Sequence, residues 1–156
     1  GSDSDLSTVK ATLEVLSELQ IPHEAKITSA HRTPAATHDY VKDAEERGCA
    51  VFIAAAGLAA HLAGTVAGLT TKPVIGIPMA GGPLHGFDAL LSTVQMPGGI
   101  PVATVAVGKA GAKNAGHLAA QILALSDPAL AERITAAREE AAAKVIAKDE
   151  KLQNGG

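Results

Sequence analysis

Apolar residues recur at helical spacing from Leu6 to Leu19. Val9, Leu13, Leu16 and Leu19 share one face while Lys10, Glu14 and Glu18 lie on others. The next segment, IPHEAKITS, alternates and is rich enough in β-branched residues to predict a short strand ending near Ser29. TPAATHDYVKDAEERG then carries helix signals at both ends, with Thr33 as N-cap, Pro34 at the first helical position and Gly48 past the end. Ala50 to Ala55 reads as a buried strand, HLAGTVAGLT as a helix and KPVIGIPM as another short strand. The glycine-rich AGGPLHG leads into the helix FDALLSTVQM, GGIPVATVAVG predicts a further strand, and AKNAGHLAAQILAL an Ala-rich buried helix. From Asp127 to Gln153 one long, charged helix pattern closes the chain and reads as peripheral. This β-α-β alternation predicts an α/β fold, a parallel sheet with helices on both faces.

The 156 residues suffice for one domain with a real core, residues 126–156 forming a C-terminal helical extension. Aromatic residues make up only 2% of the chain, so the core must be Ala, Val, Ile and Leu, and few rings remain for stacking on bases. Thirteen basic against sixteen acidic residues give a formal charge of −3, which argues against a nucleic-acid footprint. One cysteine, Cys49, excludes an intrachain disulfide and fits a reducing, cytoplasmic setting; it reads as a small buried hydrophobe at a strand start. The uncharged run Ala50 to Leu69 approaches the length of a membrane helix. Its Val51-Phe52-Ile53 start, Gly57 and His61 instead predict strand, tight turn and buried helix, with no membrane partner.

In parallel α/β sheets ligands bind beyond the carboxyl ends of the strands. That rule selects four loops: Gly1–Asp5, Ser29–Pro34, Ala56–Leu62 and Met79–Gly86. In GSDSD, Ser2 and Ser4 precede a helix whose free N–H groups can hold an anion, although Ser4 or Asp5 can equally be a simple cap. Two aspartates would repel a phosphate, so at least one should face a sugar hydroxyl or a backbone N–H. SAHRTP sets Ser29, His31 and Arg32 at a strand end, pairing a planar donor fork for phosphate or carboxylate with a proton carrier. AGLAAHLAG adds His61 just inside the next helix, as a site residue or as a hydrogen-bonded histidine of a packed helix. His23, His38, His85 and His117 form no metal pattern with one another or with Cys49, and no HExxH, paired CxxC or carboxylate cluster occurs. No catalytic metal is expected.

Taken together, GSDSD, SAHRTP, AAHLAG, DALLSTVQMP and GIPVATVAVG…KNAGHLAAQILAL resemble the PurE family of purine biosynthesis, in its order and approximate spacing over residues 1 to 126. The resemblance implies a flavodoxin-like three-layer fold, a homo-octamer with active sites between subunits, and a carboxyaminoimidazole ribonucleotide mutase that uses no cofactor or metal. It implies phosphate and ribose contacts at Ser2, Asp5 and Arg32, with Ser4 and Ser29 nearby. It also implies a catalytic His31 and a second active-site histidine, His61. Ala56, Gly57, Ala59 and Ala60, in the loop that ends at Leu62, would crowd the imidazole and exclude water.

The family usually has glycine where Leu58 stands and proline where Ala63 stands, so Leu58 is expected to push the loop from a positive φ or to narrow the pocket. A second class within the family uses free carbon dioxide; His31 followed by Arg32, with His61 present, favours the mutase. A non-catalytic nucleotide-binding module would instead need His31, Arg32 and Ser2 to lie apart. In the family a hydrophobic strand precedes the first loop, so a first strand is expected ahead of Gly1.

Overall fold

The short aliphatic runs bounded by Gly and Pro become strands, and the amphipathic stretches between them become helices. In the computed structural model, which describes residues 1–154, a 3₁₀ turn (Asp3–Asp5) leads into α1 (Leu6–Glu18) and α2 (Pro34–Glu46). There follow β1 (Phe52–Ala56), α3 (Leu62–Ala67), β2 (Val74–Pro78), α4 (Phe87–Val94), β3 (Ala103–Thr104), α5 (Lys109–Ala124) and α6 (Pro128–Gln153). The strands are parallel in the order β1-β2-β3, with Phe52 opposite Val74, Ala56 opposite Pro78, and Ile75 opposite Ala103.

Alternation along the strands divides the core into two. Ala55, Ile75 and Ile77 pack with α1 and α5, whereas Phe52, Ala54, Ala56 and Val74 pack with α2, α3 and Ala89 of α4. The result is a three-layer α/β fold. Small residues let neighbouring helices approach closely: a Cβ on Gly116 of α5 would meet Val15 Cβ of α1 at 2.9 Å. Nearby, the buried Thr12 hydroxyl donates to the Ala112 carbonyl at 2.7 Å. The run Ala50 to Leu69 forms β1, a loop and α3; among the described residues no helix is long and apolar enough to cross a membrane. In α6 the Asp127 carboxylate caps Leu130 N–H at 3.0 Å, and Leu130 is its one buried residue. Arg133 Nε donates to the Leu19 carbonyl at 3.0 Å, and the helix beyond is exposed.

One expected strand is absent. Residues 21–29 join no ladder. A cavity of about 630 Å³, lined by Val9, Leu13, Ile21, Ile27, Val51 and Ile53 among others, separates them from β1. Alternation and β-branching make a segment extended, but a strand exists only where a neighbouring backbone accepts its hydrogen bonds. Side chains hold this segment instead. Arg47 at the end of α2 donates to both oxygens of Glu24, at 2.7 and 3.1 Å, and Tyr40 O–H donates to Glu24 Oε1 at 2.9 Å. Thr28 and the buried Thr37 hydroxyl lie 2.7 Å apart.

The Arg47 guanidinium, then the Tyr40 hydroxyl, hold the Glu24 carboxyl below the usual range. Burial, reinforced by the hydrogen bond to Glu24, pushes Tyr40 up to about 12 from 10.0. Tyr40 is the one tyrosine in a chain without tryptophan, so absorbance near 295 nm reports it alone. We expect a phenolate midpoint near 12, moving back towards 10 in Glu24→Gln; a wild-type midpoint at 10 would disprove the Tyr40–Glu24 bond and the half-buried ring. The unfolded chain loses this proton first, so Tyr40's contribution to stability is complete below pH 10 and is lost as pH rises towards 12.

Candidate active site

The loops selected from the sequence converge beyond the carboxyl end of β1. The Gly1 nitrogen donates to the Ala55 carbonyl at 2.6 Å, which brings the GSDSD loop against the strand. Arg32 then reaches across, donating from Nη2 to the Gly1 carbonyl at 3.3 Å. His31 Nε2 lies 2.8 Å from His61 Nδ1, with the two rings edge to face. Ser2, Arg32, His31 and His61 therefore share one surface, the opposite of what a non-catalytic module with separated residues requires.

Within GSDSD the polar groups cap their own 3₁₀ turn. Ser2 is the N-cap of the 3₁₀ turn and forms a capping box with Asp5: Ser4 N–H donates to Ser2 Oγ at 3.4 Å, and Ser2 N–H to Asp5 Oδ2 at 3.1 Å. Asp3 accepts from Ser2 Oγ at 3.0 Å and from Ser4 N–H at 3.1 Å. Both aspartates thus face donors of their own loop, which answers the repulsion expected of them. Neither Ser4 nor Asp5 caps α1 through its side chain; the 3₁₀ turn runs directly into the helix.

Thr33 organises the second loop. Its φ of −137° makes it the N-cap ahead of Pro34, yet its side chain caps no helical N–H. The hydroxyl turns back, accepting from Ser29 N–H at 2.9 Å, while Arg32 N–H donates to Ser29 Oγ at 3.2 Å. Ser29 is thereby committed to loop structure, and His31 and Arg32 project from a closed turn. Both are exposed.

The third loop runs from Ala56 to Leu62. His61 is the N-cap of α3 rather than a residue inside it. Leu58 keeps φ at +54°, so leucine has not forced the loop out of the left-handed region. Its exposed side chain lies over Gly82, where a Cβ would come within 2.5 Å of Leu58 Cδ2. Ala63 is buried against the sheet. Gly57 and Ala59 remain accessible, whereas Ala60 and Leu62 are buried, Leu62 in the core with Ala54 and Ala56. The buried side chains of Ala60 and Leu62 secure the loop.

The fourth loop, Met79–Gly86, supports the third from beneath: a Cβ on Gly57 would touch Met79 Cβ at 3.4 Å. Sequence reasoning missed Ser92 of α4, which accepts from Ala60 N–H at 3.0 Å. A serine within a helix four residues after Asp88 gives no sign of a distant loop partner. Among the described residues no three His, Cys, Asp or Glu side chains gather to hold a metal ion.

A family model described as AIR carboxylase matches residues 1–144. The chain belongs to the AIR carboxylase family. Relatives match the chain nearly end to end. The N5-carboxyaminoimidazole ribonucleotide mutase of Bacillus subtilis is 51% identical over 152 residues, 97% of this chain and 94% of that protein. The protein of the same name from Thermotoga maritima is 50% identical over 156 residues, covering 100% of this chain and 90% of its own length. Among AIR carboxylase family structures, that of Treponema denticola PurE superposes with a TM-score of 0.86 at 31% identity, over 97% of this chain and 94% of that one.

Proposed function

We propose that this chain converts 5-(carboxyamino)imidazole ribonucleotide into 4-carboxy-5-aminoimidazole ribonucleotide, the reaction class in the names of its relatives. The observation that carries the mechanism is the 2.8 Å contact between His31 and His61 beside Arg32 and the GSDSD loop. In such a contact one ring nitrogen holds the proton and the other receives it, so the pair contains a donor and an acceptor together. The carbamate C–N bond breaks first, its electron pair staying on the exocyclic nitrogen as carbon dioxide leaves. The ring carbon bonds to that carbon dioxide, then loses its proton to a histidine nitrogen, and the proton passes to the exocyclic nitrogen. Product and substrate are isomers, so no net electron or proton is required. A histidine near its neutral-pH balance suits a group that must both take and return one proton. Arg32 and the Ser2 loop hold the phosphate and ribose, and the accessible backbone at Gly57 and Ala59 faces the imidazole.

The exposed apolar side chains Leu84, Phe87, Leu91 and Val94, with Val145, Ile146 and Leu152 on α6, support self-association. We place the sites between subunits of a cytoplasmic octamer. The test supplies the carbamate nucleotide to the purified octamer, sized by light scattering, with and without bicarbonate. Turnover independent of bicarbonate is expected. Turnover only with added bicarbonate would assign the carbon-dioxide-dependent reaction instead, and an active monomer would overturn the assembly.

A further inference from the structure

We infer that Ser92 is a positioning residue that holds His61 against His31, an inference resting on the proton-handling role proposed for that pair. The loop between β1 and α3 has few backbone hydrogen bonds of its own. It contains Leu58 at φ +54°, a left-handed conformation that is unfavourable for a residue other than glycine. Its own backbone supplies a His61 N–H to Ala59 carbonyl contact of 2.8 Å, and the His61 carbonyl accepts from Thr65 N–H at 2.9 Å at the start of α3.

The remaining anchor comes from α4. Ala60, 1% exposed, has its N–H bonded to Ser92 Oγ at 3.0 Å. Ser92 Oγ has its shortest carbonyl contact with Asp88 at 2.7 Å, against 3.3 Å to Ala89, and donating its proton there leaves the lone pairs for Ala60. Leu58's carbonyl lies 3.3 Å from the same oxygen. One hydroxyl therefore touches the loop on both sides of Ala59, directly before the histidine.

Removing that hydroxyl leaves the Ala60 N–H buried without a partner, a state that drives the loop to move. Displacement of a catalytic group by about 1 Å can cost on the order of 100-fold in rate. The neighbouring Thr93 provides the control, since its buried hydroxyl makes the same back-bond, to Ala89 at 2.7 Å, without touching the loop.

We expect Ser92→Ala to lower kcat by about 10- to 100-fold with KM within about threefold, and Ser92→Thr to restore most of the loss. Thr93→Val should leave kcat unchanged although it too loses a helix hydroxyl. Imidazole NMR of 15N-histidine protein should show the His31–His61 hydrogen bond in wild type and Thr93→Val, and its loss in Ser92→Ala. His61→Asn run in parallel separates the two claims. If His61→Asn loses turnover and Ser92→Ala does not, the positioning role is wrong; if His61→Asn is fully active, the proton-handling reading itself fails. An intact His31–His61 signal in Ser92→Ala would likewise overturn the inference.

Discussion

His31→Asn lowers kcat by about 10²- to 10⁴-fold while nucleotide affinity stays within about threefold, the range for loss of a positioned acid–base group. Asparagine keeps a polar amide near the His61 contact but cannot accept and release a proton near neutral pH. His31 is exposed at the end of a closed turn, so the substitution disturbs no packing. Arg32 and the GSDSD loop, proposed above to hold the phosphate, keep their positions through backbone contacts that do not involve the imidazole. Binding and turnover should therefore separate: equilibrium titration with the nucleotide reports the first, single-turnover kinetics the second. Near-normal rates in His31→Asn would remove His31 from the chemistry.

The second large effect concerns stability. Gly111→Ala is expected to destabilise the protein by at least about 3 kcal/mol, lowering Tm by roughly 6–12 °C for a domain of this size. Gly111 is buried in the first turn of α5, where a Cβ would overlap the Ala106 carbonyl oxygen and lie 2.6 Å from its carbon. The obstacle is backbone, so no rotamer change relieves it. The turn before α5 is also tied to β2, through Val105 N–H to the Gly76 carbonyl at 3.1 Å and Gly108 N–H to the Pro78 carbonyl at 2.9 Å. Relief must break those bonds or shift the helix out of the core. Gly98→Ala is the matching control, because a Cβ there meets nothing within 4 Å. Thermal or urea unfolding that found the two variants alike would refute the close approach.

Much of the arrangement is legible without coordinates. Thr33-Pro34 and Gly48 mark the ends of α2 because capping and left-handed termination are local chemistry. The continuous apolar runs of β1 and β2 announce strands buried on both faces, and the alanines of α5 announce a helix packed on all but one side. His31, Arg32 and His61 stand out because polar, reactive residues occur just past segments with strand-like pattern, where a parallel fold gathers its loops. Ser92 does not stand out, since its partner is a backbone N–H more than thirty positions away, which no side chain advertises. Arg47 and Glu24 are hidden for the same reason: each looks like a solvated charge on its own segment.

The amino-acid sequence by itself determined the α/β alternation, the limits of most helices, the small-residue core and the histidines and arginine of the site. These follow from periodicity, caps and residue chemistry, all properties of neighbours along the chain. Only the tertiary structure decided that residues 21–29 join no ladder and lie across a cavity from β1. Strand pairing requires a partner backbone that local pattern cannot name. It also decided that Leu58 keeps a left-handed conformation, with Ser92 anchoring the loop beside it. The separation of 2.8 Å between His31 and His61 arises in the same way, because two loops thirty residues apart are each fixed by contacts with other elements.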